Sequence, residues 1–388
     1  VSSIAQAIKM AGYILRARHL KYFYFIAIAG SLFILLRSRA KSVQRSLPVE
    51  APTHKVLIWD VGKRMERRFL RSFGSSNKDP FEFCTVRNCV LETSNDKIGE
   101  AAAVFFHLHM TKGPETLPKF HRPDQLWIFF TDESPLHTFM ATKKYKMSDY
   151  NGIFNLSMTY RSDSDIPAAY GRTVELSEME KSNMADLPNY ATSRNRMVAI
   201  LGSNCGGPNK RWPYVRELAK HVSVDIYGGC GTKTCPGHFT RDCDVMKDYK
   251  FYLAFENSNC REYITEKLWW NAFEKEVLPV VMGGSKEDYS RLCPPHSFIH
   301  VEDFEGPRHL AEYLKFLDSN HTAYNSYFAW KKKYRVLNEH GYFGSPSLHL
   351  CRICELLNSG RKEARVYDDL ESFWNSKTDC RPPVWDGT

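Results

Sequence analysis

The first 49 residues of this 388-residue chain contain no aspartate or glutamate, but they hold eight lysines and arginines. From Glu50 onward, 45 basic residues stand against 44 acidic ones, so the body lacks the positive excess that an extended phosphate-binding face requires. The chain also lacks a P-loop, a dinucleotide fingerprint, a nucleophilic triad motif, an internal repeat and a low-complexity tract. The balanced charge of the body argues against nucleic acid as a partner. The missing motifs give no support for a P-loop NTPase, a dinucleotide-dependent enzyme or a triad hydrolase.

One uncharged run, Tyr22–Leu36, has basic residues on both sides. Its 15 residues fall short of the roughly 20 that a typical membrane helix needs, but spans begin at about 17 and flanking Lys or Arg can extend the ends. We interpret 22–36 as a signal-anchor, with 1–21 as a cytoplasmic tail and 37–53 as a stem. The alternative is a cleaved signal peptide, since Ala27–Ser31 offers small residues for cleavage. Both interpretations send the body into the secretory lumen.

The body carries features typical of that compartment. Asn155 and Asn320 each begin an N-glycosylation sequon. Eleven cysteines suit an oxidising environment, and their odd number leaves at least one without an intramolecular partner. Two cysteine pairs could hold zinc, but a secreted chain favours disulfides that tie a C-terminal tail, 351–388, back to the first domain. These pairs are Cys84 with Cys89 and Cys351 with Cys354, and the sequence leaves their connectivity open.

Apolar runs alternate with helix-length segments along the body. The strand candidates fall into two sets: Lys55–Trp59, Ala103–Phe106 and Leu126–Phe130, then Met197–Leu201, Ser223–Tyr227, Phe251–Phe255 and Val277–Met282. Helix candidates in the second set are Trp212–His221 and Tyr263–Glu274. Continuous apolar strands separated by helices predict parallel sheets covered on both faces. We therefore expect an α/β protein with two doubly wound, Rossmann-like domains facing a cleft, over 54–190 and 191–350.

The polar residues that follow Phe251–Phe255 carry the clearest chemical signal. The strand ends at Glu256, and a helix with Glu266 and Lys267 near its start follows. Ligands bind beyond the carboxyl ends of strands in such sheets, and helix N-termini attract phosphate. Lys267 would add a positive charge for a diphosphate, while Glu256 and Glu266 could accept hydrogen bonds from sugar or ribose hydroxyls. The alternative is an exposed helix that these charges merely decorate.

The stretch Phe-Glu-Asn-Ser-Asn-Cys-Arg-Glu-Tyr-Ile-Thr-Glu-Lys, ending at Lys267, closely resembles the donor-binding signature of the α1,3/4-fucosyltransferases, family 10 of the glycosyltransferases. The similarity extends roughly from Trp127 to Cys354. It implies a GT-B fold, GDP-fucose as donor, a C-terminal donor domain and an inverting mechanism. Glu266 would lie near the fucose, as a second catalytic candidate, and Lys267 near the diphosphate. By matching position, the residues that contact GDP-fucose would be Asn257, Tyr263, Glu266 and Lys267.

A second cation follows the strand candidate Met197–Leu201. A glycine-containing loop leads to Arg211, which starts the next helix, and bidentate contact between arginine and phosphate suits that position. The resemblance matches Arg211 to the family's diphosphate arginine. Lys210 or Arg216 could take the role instead, and the loop could be a plain turn.

Two carboxylates follow Leu126–Phe130. Inversion needs a carboxylate that takes the proton of the acceptor hydroxyl as it attacks the anomeric carbon, while GDP leaves from the opposite face. The family's Glu-Ser-Pro motif matches at Glu133, the expected base, with Asp132 as second choice and a loop-capping carboxylate as the alternative. The family more often has an uncharged residue where Asp132 stands, which could alter acceptor recognition. His107 and His109 are interpreted as loop residues, with a part in seating the acceptor as the minor alternative.

The motif Tyr-Arg-Ser-Asp-Ser-Asp offers a rival interpretation. Asp163 and Asp165 form an Asp-x-Asp pair, which in another fold class of sugar transferases binds Mn²⁺ and a nucleotide diphosphate. The motif also resembles one of family 10 that lines the cleft. We therefore interpret it as shaping the substrate site, with Tyr160 and Arg161 contacting the nucleotide or the glycan.

The expected function is inverting transfer of L-fucose from GDP-fucose, in α-1,3 linkage, to a GlcNAc of a glycoprotein glycan. The innermost GlcNAc of N-glycans is favoured, because 224–231 and 249–255 resemble most closely the invertebrate and plant members with that activity. Terminal N-acetyllactosamine as acceptor and an inactive glycan-binding protein are alternatives. No cofactor is expected, with stimulation by Mn²⁺ left open. We expect a single-pass type II protein of the Golgi membrane with a luminal catalytic domain.

Overall fold

The computed structural model describes residues 54–60, 79–139, 144–235, 242–341, 347–360 and 366–387. The signal-anchor predicted at 22–36 lies outside these ranges, as do the tail predicted at 1–21 and the stem predicted at 37–53. Within the described ranges, no helix is long and apolar enough to cross a membrane. These three assignments therefore stay predictions.

The first large sheet has six strands in the order β2-β1-β3-β4-β5-β6, and every neighbouring pair is parallel. Its strands are β1 (His54–Ile58), β2 (Cys89–Glu92), β3 (Ala103–His107), β4 (Leu126–Thr131), β5 (Leu156–Thr159) and β6 (Ile166–Pro167). Every residue of β3 is buried, as is every residue of β4 after the first, because both faces of the sheet are covered. Parallel strands with continuous apolar runs were expected here, and this is confirmed.

The second large sheet has five parallel strands in the order β13-β12-β10-β8-β9. Its strands are β8 (Arg196–Leu201), β9 (Val224–Tyr227), β10 (Tyr249–Phe255), β12 (Leu278–Met282) and β13 (Ile299–His300). All seven residues of the central strand β10 are buried. The polar residues that begin at Glu256 therefore follow the central strand and lie at the carboxyl edge of this sheet.

Two small antiparallel sheets join regions that are far apart in the chain. Strand β7 (Gly171–Glu175) pairs with β14 (Tyr334–Asn338), and β11 (Asn259–Cys260) pairs with β15 (Cys380–Arg381). The first of these pairs connects the two predicted domains. The limits 54–190 and 191–350 stay a prediction, and each range contains one large sheet.

The helices are mostly short. They are α1 (Glu178–Ser182), α2 (Arg211–Leu218), α3 (Glu266–Leu268), α4 (Lys286–Leu292), α5 (Pro307–Ser319), α6 (His321–Ser326), α7 (His349–Asn358), α8 (Leu370–Phe373) and α9 (Ser376–Asp379). Helix α3 continues as a π-helical segment, Trp269–Glu274. The sequence predicted this helix from Tyr263, but it begins at Glu266 because the side chain of Thr265 accepts a hydrogen bond from the Lys267 amide and caps the N-terminus.

Ten of the eleven cysteines form disulfides, and all eleven lie in described ranges. The bonds are Cys84–Cys351, Cys89–Cys354, Cys205–Cys230, Cys235–Cys243 and Cys260–Cys380. Cys293 is free and buried. The first two bonds tie α7 to the first domain, where Leu350 and Ile353 join the core beside β1, β3 and β4. They provide the tie expected for the tail and supply the connectivity that the sequence left open.

Residues 366–387, called the C-terminal segment below, contact the loops of both large sheets. On the first-sheet side the Gly152 amide donates to the Tyr367 carbonyl at 2.8 Å, and the Tyr367 amide donates to the Phe154 carbonyl at 2.9 Å. On the second-sheet side β15 pairs with β11, and the Cys260–Cys380 disulfide reinforces that pair. The tail is therefore tethered at a second place that the sequence analysis did not identify.

Candidate active site

Glu133 and Tyr263 come from the carboxyl ends of strands in different sheets and meet. Glu133 follows β4, and Tyr263 lies in the loop that follows β10. The Tyr263 hydroxyl donates to Glu133 Oε2 at 3.0 Å, and Asn257 Nδ2 makes a longer contact of 3.5 Å with the same oxygen. Burial, with the Glu133 charge in support, raises the pKa of Tyr263 well above its ordinary value, so the hydroxyl keeps its proton. The expected base and two expected donor-binding residues thus lie together.

A histidine that the sequence analysis missed lies beside this contact. Ser258 Oγ donates to Ser134 Oγ at 2.7 Å, and Ser134 Oγ is 3.1 Å from His137 Nδ1. Burial lowers the pKa of His137, and nearby cations add to this effect against the opposing charge of Glu133. His137 is therefore a neutral imidazole at pH 7. Its backbone carbonyl binds Nδ1 of His109 at 2.8 Å, so His109 supports this loop.

Glu262, which the sequence did not mark as a site residue, holds the loop between β10 and α3 in place. Glu262 has a φ of 55°, in the left-handed region, and its side chain is almost fully buried. Its carboxylate accepts from the Ser162 amide at 2.7 Å, from the Ser162 hydroxyl at 2.9 Å and from Arg291 at 2.7 Å. Ser162 lies in the loop between β5 and β6, so Glu262 anchors the donor-signature loop to the first-sheet side.

Glu256 is bound by protein groups, and its contact with a sugar or ribose hydroxyl stays a prediction. The side chain is fully buried, and its oxygens accept from the amide and hydroxyl of Thr265 at 2.8 and 2.9 Å. Lys267 Nζ is 2.9 Å from Glu256 Oε2. Burial raises the pKa of Glu256, with the Lys267 charge opposing. Glu256 therefore fixes the start of α3 and the position of the Lys267 ammonium.

Glu266 and Lys267 stay partly accessible, with 24% and 16% of their side chains exposed. Lys267 Nζ is 3.4 Å from Glu266 Oε1. Burial opposes ionisation of both groups. The charges of Lys267 and His340 nevertheless hold the pKa of Glu266 below its ordinary value, and Glu256 with Glu266 raises the pKa of Lys267. A carboxylate and an ammonium thus lie together at the N-terminus of α3, and their contacts with a sugar diphosphate stay a prediction.

Arg211 is buried at the start of α2. Its guanidinium donates to the Phe255 carbonyl at 2.9 Å and to the Asn204 carbonyl at 2.7 Å, so it joins the end of β10 to the loop after β8. Burial lowers the pKa of Arg211. Lys210 and Arg216, the expected substitutes, are exposed, and Lys210 pairs with Asp386. The Arg211 guanidinium is therefore held next to the start of the loop between β10 and α3. Its contact with a diphosphate stays a prediction.

Tyr160 and Arg161 do different things. The Tyr160 ring packs against Tyr263, with ring centroids 4.9 Å apart, and so lines the back of the site. Arg161 is buried and binds the C-terminal segment, donating to Asp379 Oδ2 at 2.9 Å and to the Phe373 carbonyl at 2.7 Å. Arg161 therefore holds that segment in place, and its contact with a nucleotide or glycan stays a prediction.

The Asp-x-Asp pair has separate partners. Asp163 binds Arg161 through both carboxylate oxygens and also lies 3.1 Å from Arg261. Asp165 Oδ2 accepts from the amide and hydroxyl of Ser157 and from the Tyr367 hydroxyl. The two carboxylates therefore do not converge on a common point. Across the described ranges, no three His, Cys, Asp or Glu side chains are grouped as metal ligands.

Asp132, the second choice for the base, is buried between two histidines. Asp132 Oδ1 lies 3.2 Å from His107 Nε2, and Oδ2 lies 3.2 Å from His340 Nε2. A carboxylate enclosed in this way cannot reach an acceptor hydroxyl. Glu133, which is partly exposed, is the carboxylate that faces the site.

The two sequons differ in accessibility. Asn155 is buried, and its side-chain oxygen accepts from the Trp127 amide at 2.8 Å. This burial argues against glycosylation at Asn155, which stays a prediction. Asn320 caps α6 through its side-chain oxygen, and the following residues His321 and Thr322 are exposed. Glycosylation at Asn320 stays a prediction.

Two family descriptions match this chain. Residues 191–374 match "Glycosyltransferase family 10 (fucosyltransferase) C-term", and residues 51–171 match "Fucosyltransferase, N-terminal". These ranges contain the residues around Glu133 and the whole donor signature.

Relatives and solved structures agree with this match. The chain is 36% identical over 306 residues to Glycoprotein 3-alpha-L-fucosyltransferase A of Drosophila melanogaster, covering 78% of this chain and 57% of that protein. It is 38% identical over 267 residues to the Homo sapiens 4-galactosyl-N-acetylglucosaminide 3-alpha-L-fucosyltransferase FUT6, covering 68% of this chain and 69% of that protein. A crystal structure of an alpha1,3-fucosyltransferase with GDP-fucose is similar at a TM-score of 0.50 and 15% identity, covering 83% of this chain and 95% of that chain. The chain thus spans less than two thirds of the Drosophila relative.

Proposed function

This chain belongs to glycosyltransferase family 10, the fucosyltransferases, and we propose that it transfers L-fucose from GDP-fucose, in α-1,3 linkage and with inversion, to a GlcNAc of a glycoprotein glycan. The observation that carries the proposal is the 3.0 Å hydrogen bond between Tyr263 of the donor signature and Glu133. An expected proton acceptor and an expected donor site share one location. The two parallel sheets support a GT-B arrangement, with the site between them.

In the proposed reaction Glu133 is the general base. Its carboxylate takes the proton of the acceptor hydroxyl while the hydroxyl oxygen forms a bond to the anomeric carbon of fucose. The bond from that carbon to the diphosphate oxygen breaks on the opposite face, and GDP leaves with the electron pair. Tyr263 and Asn257 orient the Glu133 carboxylate, so that the attacking hydroxyl oxygen and the departing GDP stay in line.

The charged groups of the second sheet would bind the donor. The Lys267 ammonium, held by Glu256, offsets the negative charge of the diphosphate, and Arg211 adds a second cation under the same loop. Glu266 is the group that would accept hydrogen bonds from the fucose. The proposal includes no metal cofactor, with stimulation by Mn²⁺ left open.

For the acceptor, the innermost GlcNAc of N-glycans is the first choice. Support comes from the resemblance of 224–231 and 249–255 to members with that activity, and from the name of the Drosophila relative, a glycoprotein fucosyltransferase. The human relative is named for a 4-galactosyl-N-acetylglucosaminide, so terminal N-acetyllactosamine is the second candidate.

For the location, we propose a single-pass type II protein of the Golgi membrane with a luminal catalytic domain. The five disulfides and the accessible sequon at Asn320 support an oxidising, glycosylating compartment. Imaging of the full chain beside a Golgi marker, with protease protection of its C-terminus, tests this location.

An acceptor panel tests the function. The full chain, produced in the secretory pathway of insect cells and solubilised in detergent, is incubated with GDP-fucose and either an N-glycan with an exposed chitobiose core or N-acetyllactosamine. Product linkage is determined by NMR, with a parallel reaction in excess EDTA. Fucose on O3 of the innermost GlcNAc is the expected result, with most activity kept in EDTA. Protein that binds GDP but gives product with neither acceptor would refute the enzyme assignment.

A further inference from the structure

A buried cluster of one aspartate and two histidines lies directly behind the expected base. Asp132 Oδ1 and Oδ2 are each 3.2 Å from an imidazole Nε2, of His107 and His340 respectively. Asp132 and His340 are 4% exposed, and His107 is fully buried. Burying a carboxylate is costly unless polar partners replace its hydration. Here His107 Nε2 makes a hydrogen bond with Oδ1, and His340 Nε2 lies at ion-pair distance from Oδ2.

A tyrosine completes the cluster. The Tyr170 hydroxyl donates to the Asp132 backbone carbonyl at 2.8 Å, and the Tyr170 ring stacks on His340 with centroids 4.0 Å apart. The Glu339 amide in turn donates to the Tyr170 carbonyl at 2.9 Å. His340 and Tyr170 therefore act as one stacked pair that holds Asp132 at both its side chain and its backbone.

The four side chains come from four elements. His107 ends β3, Asp132 follows β4, Tyr170 precedes β7 and His340 follows β14. Because these elements contact Asp132 from different sides, they restrict the conformation of its backbone. The next residue is Glu133, whose carboxylate is held on its other side by Tyr263.

We propose that Asp132, His107 and His340 form a positioning unit for Glu133, which sets the direction in which its carboxylate meets the acceptor hydroxyl. This inference rests on the proposed function. The unit touches no reacting atom and acts only through the Glu133 backbone.

A purely structural role makes a different prediction. If the cluster only filled space, uncharged residues could do the same without the cost of burying a carboxylate. Replacing the cluster side chains would then lower stability but leave the turnover of folded protein unchanged. A positioning role predicts lower kcat at unchanged donor binding, because a misdirected base affects the chemical step and not the diphosphate.

The experiment uses Asp132→Asn and His340→Gln in the full chain, with His300→Gln as a control. His300 is a buried histidine on the edge strand β13. GDP affinity and Tm are measured first, and kcat is then normalised to the fraction that binds GDP. We expect both cluster variants to lose about 10- to 100-fold in kcat, with the KM for GDP-fucose within about twofold of wild type. The control should lose Tm only.

The double variant Asp132→Asn/His340→Gln is the second measurement. If the cluster acts as one unit, kcat should fall no further than in the more impaired single variant. A kcat within about twofold of wild type in either GDP-binding single variant would overturn the proposal, as would strictly additive losses. If one single variant does not bind GDP, the other decides. Wild-type protein that binds GDP but transfers no fucose would instead refute the proposed function itself.

Discussion

The hydroxyl of Tyr263 lies 3.0 Å from Oε2 of Glu133, although 130 residues separate them in the chain. Tyr263 lies in the loop after the central strand of the second sheet, and Glu133 lies just beyond β4 of the first. Because the tyrosine is buried and keeps its proton, it can only donate to the carboxylate at physiological pH. A residue expected to bind the donor thus orients the residue expected to activate the acceptor.

Replacing Glu133 with glutamine should remove transfer and leave donor binding intact. The amide keeps the volume of the side chain but cannot take a proton, so kcat should fall by about 100-fold or more. GDP affinity, measured by calorimetry, should change by less than about twofold, since Glu133 carries no expected diphosphate contact. Glu287→Gln on the exposed face of α4 is the matched control. Near-normal turnover in Glu133→Gln would remove Glu133 as the base.

Tyr263→Phe and Tyr160→Phe form a matched pair, because the two rings pack against each other. The first change deletes the hydrogen bond to Glu133. A hydrogen bond to a charged group contributes about 1.5 kcal/mol, so kcat should fall about tenfold. In the described part of the chain the Tyr160 hydroxyl has no hydrogen-bond partner, and its loss should change kcat by less than about twofold. Equal effects of the two changes would contradict an orienting role for the Tyr263 hydroxyl.

Removal of the Cys260–Cys380 disulfide should weaken donor binding as well as stability. The bond joins the donor-signature loop to the C-terminal segment, and the loss of a native disulfide typically costs about 2–4 kcal/mol. The Cys260→Ser/Cys380→Ser variant should show a lower Tm and a higher Kd for GDP. Cys84→Ser/Cys351→Ser, which removes one of the two disulfides between α7 and the first domain, should lower Tm with an unchanged Kd. The same Kd in both variants would show that the C-terminal segment does not support the donor loop.

His137 should make stability depend on pH. Burial lowers the pKa of His137 from its ordinary value of 6.5. As pH falls through 6.5, the unfolded chain takes up a proton that the folded protein resists, so the residue costs stability below 6.5 and none above it. Between about pH 7.5 and about pH 5, the Tm of wild type should therefore fall more steeply than that of His137→Gln.

The control for this pH series is His309→Gln, which removes an exposed histidine on α5. Its Tm should follow the wild-type curve. Parallel curves for wild type and His137→Gln would show that the His137 imidazole is as easily protonated in the folded protein as in the unfolded chain.

A glycan should be found on Asn320 and not on Asn155. The protein is produced in the secretory pathway of insect cells, digested with trypsin and analysed by mass spectrometry. Hexose should be found only on peptides that contain Asn320. The reason is that Asn155 is buried with its side chain bonded to the Trp127 amide, whereas the Asn320 sequon is exposed at His321 and Thr322. Substantial occupancy at Asn155 would mean that the loop before β5 is not packed as described.

Much of the fold could be predicted because its signals are local. The apolar runs that become β1, β3, β4, β8, β9, β10 and β12 are long enough to stand out, since buried parallel strands are apolar along their whole length. The strands β2, β5, β6 and β13 were missed because they have two to four residues and form no apolar run that stands out from its flanks. The start of α3 was predicted three residues early, because a cap is decided by one side chain, that of Thr265.

The sequence by itself determined the family, the two sets of strands and a short stretch that holds Asn257, Tyr263 and Lys267, because a local motif encodes the residue types that a diphosphate sugar requires. Only the tertiary structure decided what each charged side chain does. In the sequence Glu256 and Arg161 are the same residue types whether they face a ligand or the protein interior, and Asp132 and Glu133 are neighbouring carboxylic acids with different surroundings. Burial and partners distinguish these side chains, and both arise from contacts between residues that are far apart in the chain.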